Sequence, residues 1–164
     1  MEKSIILLSL IFFSVLSCSK KKEELPENIY KDVIKEFNLK RTKEGKILWN
    51  LKAKEAEISN NIINLRGIEF ELFHNSKKVK LNADKGRIFK DSNKVYLEGN
   101  IVIEGEGKKV YLDDLSYDEK SSKFYSKGNV REETDNLIIE GEGLVATFDL
   151  KKVEIIDNVR IKRK

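Results

Sequence analysis

Three groups of residues have types and spacing that chemistry uses. The glycine-rich strings "EGNIVIEGEG" (98–107) and "KGNVREETDNLIIEGEG" (127–143) set backbone N–H groups between charges, as phosphate-cradling loops do. Asp84 and the adjacent Asp113 and Asp114 offer carboxylates for acid–base work. His74 and Cys18 are the one imidazole and the one thiol of the 164-residue chain. None of these completes a site. A phosphate loop needs a helix N-terminus behind its glycines, and neither string opens a helix. The three aspartates lie beside turns in a chain with 28 acidic residues, so their presence marks nothing. A single Cys and a single His exclude a disulfide framework and a Cys/His zinc centre. A Ser-His-Asp arrangement would rest on His74, and "FHNSKK" reads as a hairpin turn. The residues describe a chain that is not an enzyme and calls for no cofactor or metal.

The elements around these residues are strands. From about Val33 the apolar residues recur every second position, the period of half-buried antiparallel strands. Ile47, Trp49, Leu51 and Ala53 share one face, as do Val79, Leu81 and Ala83. The sets Val95, Leu97, Gly99, Ile101, Ile103 and Val153, Ile155, Val159, Ile161 continue the pattern. A single proline fits, because ladder positions need their N–H groups. Polar clusters such as "KDSNK", "DEKSSK", "ETDN" and "DLKK" punctuate the runs as turns. Gly99-Asn100, Gly128-Asn129 and Asp157-Asn158 recur at 29-residue intervals, each followed by Ile or Val, with a weaker copy around Gly67. Such a repeat predicts a bulge or bend in the middle of a strand, and repeated bends curl a sheet into a gutter, sandwich or roll. Four units predict ten or so short strands. The first "IEGEG" then forms a hairpin turn, and the second lies in or beside a strand, its glycines allowing a bulge.

The first residues differ. "MEKSIILLSLIFFSVLSC" has a short polar start with Lys3, an apolar run over 5–16, and small Ser17 before Cys18. That run is too short for the roughly 20 residues that span a bilayer. Residues 1–17 read as a lipoprotein-type secretory signal, and "VLSC" resembles a lipobox that would make Cys18 a lipidated N-terminus. An uncleaved anchor is the alternative. Residues 18–32, charged and holding the proline, read as a tether, and 33–164 as one domain. Net charge is a modest +4 with both signs interspersed, which argues against a nucleic-acid partner.

"GKILWNLKAKEAEI" resembles the Gly-x-x-x-Trp-x-x-x-Ala-x-x-Ala segment of the LptC family of lipopolysaccharide export. "ADKGRIF", "VYLEGNIVI", "LSYDEKSSKFYSKGNV" and "LIIEGEGLVATFDLKKVEIIDNVRI" resemble repeats that this family shares with the OstA/LptA-like periplasmic bridge proteins. The likeness covers residues 37–161, and Trp49, Ala53 and Ala56 point to LptC rather than to the bridge proteins. The resemblance implies an all-β, twisted antiparallel β-jellyroll or open roll, with an interior that holds lipopolysaccharide acyl chains. Its edges would pair with the permeases of the inner-membrane transporter and with an LptA-like bridge protein. The protein would then be tethered on the periplasmic side of the envelope, at the inner membrane. A typical member has a true transmembrane helix where this chain has a segment that resembles a lipobox.

A lipid carrier needs apolar lining and no catalytic group. The candidates for that lining are Trp49, Leu51, Leu65, Leu81, Leu97, Ile101, Tyr111, Phe124, Val130, Phe148 and Ile155; the same alternation also serves an ordinary sandwich core. The last strand, with Val153, Ile155, Val159 and Ile161, ends near the C-terminus and is the candidate edge for β-augmentation. A structural or adhesive β-repeat lipoprotein is the competing reading.

Overall fold

The computed structural model describes residues 33–74, 77–92 and 94–164. The expected signal, tether and Cys18 lie outside them. Nine strands follow one another: β1 (Val33–Lys43), β2 (Lys46–Ser59), β3 (Ile62–His74), β4 (Lys77–Phe89), β5 (Lys94–Gly105), β6 (Lys108–Asp118), β7 (Lys123–Glu133), β8 (Leu137–Thr147) and β9 (Val153–Arg163). They form one antiparallel sheet in sequence order, unclosed, with β1 and β9 as its edges. This is the all-β chain that the alternation predicts, in the open sheet that the resemblance implies. The strands are fewer and longer than the ten or so expected, because each runs through its bend instead of ending there.

The turns lie where the polar clusters place them. His74 is the last residue of β3, immediately before the β3–β4 connection. Glu106 and Gly107 join β5 to β6 with φ of 49° and 72°, the backbone of a two-residue type I′ hairpin. The second "IEGEG" lies inside β8, with Gly143 at φ 72° and a register shift between Glu140 and Glu142.

A crease crosses the sheet where the repeat predicts it. In β2, β3, β4 and β6 the inward-facing residues step by three instead of two: Ala53 to Ala56, Leu65 to Ile68, Ala83 to Gly86, Leu112 to Leu115. In β5 and β7 they step by four across Gly99-Asn100 and across Gly128: Leu97 to Ile101 and Ser126 to Val130. The extra residue is a bulge, and the register shifts on the β5–β6 and β7–β8 ladders accommodate it. Gly99, Asn100 and Asn158 have φ of 79°, 46° and 55°. At these three positions glycine and asparagine serve because they tolerate left-handed backbone; Gly128 and Asn129 do not adopt it, and Gly128 instead leaves room for the Asp114 carboxylate.

The bend doubles the sheet over. β3 and β6 lie three strands apart, about 14 Å in a flat sheet, yet the rings of Phe70 and Tyr117 lie 6.3 Å apart. Arg41 on edge strand β1 reaches Glu119 beyond β6 at 2.8 Å. The apolar faces of the two halves meet in a single core.

Candidate functional site

The core is where the candidate lining converges. Trp49, Leu51, Leu65, Leu81, Leu97, Ile101, Phe124, Val130 and Phe148 are all buried, and Ile155 packs half-buried against them. Alternation along each strand aims them inward, and the crease turns the two halves face to face. A chain of aromatic contacts crosses this interior: Trp49 to Phe70 at 5.6 Å and Phe70 to Tyr117 edge-on, and Tyr117 to Phe124 tilted at 5.4 Å. Burial pushes the Tyr117 hydroxyl up to about 12, with Glu119 and Asp118 adding to the shift. The ring is therefore neutral and behaves as part of the apolar lining.

Tyr111 is a correction. It stands on the outer face, because the register of β6 turns its neighbours Val110 and Leu112 inward. Ile47 shares the parity of Trp49 but is 44% exposed, next to the β1–β2 hairpin and a register shift after Arg41. Phe70, Leu72, Ile103 and Leu144 line the interior and were not among the candidates. "IEFEL" carried Phe70 and Leu72 in plain alternation. Leu150, fully buried from the β8–β9 turn at φ 56°, had no periodic signal.

The interior holds one charged side chain among the described residues. Glu132 continues the inward face of β7 and is 4% exposed, with Lys108 Nζ 2.9 Å from its carboxylate. Asp84 and Asp114, considered above as acids, are fasteners of the crease. Asp84 accepts from the Asn100 side-chain amide at 2.8 Å. Asp114 accepts from the Gly128 N–H at 2.8 Å, the Ser126 hydroxyl at 3.1 Å and the Lys127 N–H at 3.2 Å. No group of three or more potential metal ligands occurs among the described residues.

The candidate edge is divided. Val153 and Ile155 pack on the core, while Ile156, Val159 and Ile161 are exposed, the last at 65%. Among the described residues no further strand covers the outer side of β9. The opposite edge also exposes apolar residues, Val33 and Ile34 on β1. No helix among the described residues is long and apolar enough to cross a membrane.

Among the described residues this arrangement provides a large apolar interior in an unclosed sheet, with apolar residues exposed on both edge strands. No curated protein matches the chain. One family model, described as lipopolysaccharide-assembly, LptC-related, matches residues 4–163.

Proposed function

Because the chain belongs to the lipopolysaccharide-assembly, LptC-related family, we propose that it carries lipopolysaccharide by holding the acyl chains between the two halves of its folded sheet. The family is a transport component of the periplasmic side of the envelope. The observation that supports the acyl site is an interior of aliphatic and aromatic side chains inside a sheet left open between β1 and β9. Acyl chains make no hydrogen-bonding demand. Each buried methylene contributes about 0.8 kcal/mol, so several chains bind firmly through loose contacts. Because the sheet is unclosed, a lipid can enter without breaking any ladder hydrogen bond.

In this reading the protein receives lipopolysaccharide from the permeases of the inner-membrane transporter and passes it to an LptA-like bridge protein. β9 supplies the docking edge, with ladder groups giving affinity and the exposed Val159 and Ile161 giving side-chain contacts. Lipidation at Cys18 tethers the domain to the membrane. In the Cys18→Ser variant, loss of acyl labelling and of processing is expected; an unchanged mature mass would favour an uncleaved anchor.

Site-specific photo-crosslinking tests the lipid site. A photoreactive residue at Leu97 or Phe124 should capture lipopolysaccharide, whereas one at outward-facing Glu98 or Lys123 should not. Capture from the outward positions alone would rule out the interior as the lipid site.

A further inference from the structure

A second concavity lies on the outer face of β5–β9, along the crease, with a volume of about 730 Å³. We propose that it is a binding groove for an extended oligosaccharide, separate from the interior. One wall carries Asn100, Asn129 and Asn158, the residues of the 29-residue repeat. They stand on every second strand, so their backbone positions recur at about 9.6 Å, twice the strand spacing; the Asn100 amide is engaged by Asp84, which leaves those of Asn129 and Asn158 to the groove. The other wall carries Tyr111, Arg131 and Arg160. These positions alternate with buried Ile101, Leu112 and Val130 and so face away from the core.

The chemistry of the walls selects the ligand. Over β6, β7 and β8 a peptide cannot add by β-augmentation, because ladders on both sides engage these strands. An anionic ligand is disfavoured, because the carboxylates of the lining outnumber its guanidiniums and Arg131 is already paired. Arg131 lies 2.6 Å from Glu133 and 3.7 Å from Glu140, and Lys162 lies 2.8 Å from Glu140. The hydrogen bond from Lys162 holds Glu140 below the usual carboxylate range. Three carboxylates (Asp113, Glu140 and Glu142) against two guanidiniums leave the lining without positive excess.

What the groove offers is amides and carboxylates, planar groups with paired acceptor or donor sites that match neighbouring hydroxyls. It also offers the half-buried ring of Tyr111, an apolar face with a polar tip suited to the C–H face of a sugar. Spaced hydroxyl-binding groups with an aromatic platform suit a linear polyhydroxylated chain. The saccharide of a lipopolysaccharide and another envelope glycan share that chemistry.

The test is an NMR titration of the isotopically labelled full chain with two probes in separate arms: delipidated core oligosaccharide of lipopolysaccharide, and chitohexaose. Saturable shifts are expected at the amides of Tyr111, Asn129 and Asn158. Tyr111→Ala and Asn129→Ala should each weaken binding about tenfold, while Tyr125→Ala, on the outer face of the other half, should leave it unchanged. Response to the first probe alone identifies lipopolysaccharide sugar as the source. Response to chitohexaose, alone or as well, identifies a broader glycan site. No saturable shift with either probe, shifts confined to other surfaces, or binding undiminished by both variants would overturn the proposal. The shift map of the unsubstituted chain decides the question even where a variant fails to fold. Neither probe carries fatty acyl chains, so the result is independent of the interior lipid site.

Discussion

The carboxylate of Asp114 on β6 accepts a 2.8 Å hydrogen bond from the backbone N–H of Gly128 on β7, and a Cβ at position 128 would stand 2.6 Å from that same oxygen. The carboxylate approaches the backbone closely only because residue 128 has no side chain. Asp84 and Gly99 repeat the close approach one repeat earlier, with a Cβ at 99 falling 2.9 Å from the carboxylate oxygen, though there the donor is the Asn100 side-chain amide.

Gly128→Ala is therefore expected to destabilise the fold by about 2 kcal/mol, the scale of overpacking, and to shift the urea midpoint accordingly. Combining it with Asp114→Ala should cost less than the sum of the two single substitutions, because each removes the other's conflict. Gly107→Ala meets nothing within 4 Å and bears only the backbone strain of φ 72°, about 1 kcal/mol. Simple additivity at 114 and 128 would refute the fastener.

Glu132 and Lys108 form the one ion pair with a buried member among the described residues. Lys108→Ala strands a buried carboxylate and should cost about 2 kcal/mol, below the full range for buried pairs because Lys108 keeps some exposure. Glu132→Gln in that background should recover most of the loss. Thermal unfolding of the two variants measures both effects.

Tyr117 makes stability depend on pH at the alkaline end. Its hydroxyl is raised from an ordinary 10.0 to about 12 when folded. The unfolded chain thus loses this proton first, and stability falls as pH rises through 10 to 12. The full contribution, on the order of 2 to 3 kcal/mol, is present below pH 10. Tyr117→Phe should flatten that part of the alkaline denaturation curve; an unchanged curve would mean that the hydroxyl is accessible.

Ile161 is 65% exposed on edge strand β9. Ile161→Asp should change stability by less than about 0.5 kcal/mol. It should nevertheless weaken edge-to-edge capture of a β-repeat partner, read by crosslinking from position 159. Unaltered capture would place the partner on another edge.

Much of this fold was legible in the sequence. Alternation located most of the interior, the polar clusters located five of the turns, and the Gly-Asn repeat located the bend. Tyr111 and Ile47 were misplaced because parity alone says which residues share a face of a strand. It does not say which face meets the core, or how far along the strand the cover extends. Leu150 enters the core from a turn, where no period exists. The outer groove was invisible because Asn129, Tyr111 and Arg160 lie far apart in sequence and share a groove only once the sheet sets β6 to β9 in order.

The sequence by itself determined the strands, the hairpin turns and the position of the bend, because backbone preference and side-chain period are local properties. Tertiary structure alone decided that the bend doubles the sheet over, bringing Phe70 against Tyr117. It also decided that Asp84 and Asp114 serve as fasteners and that β1 and β9 remain open edges. Those outcomes depend on register across strands, where one added residue at a bulge decides which side chains face each other.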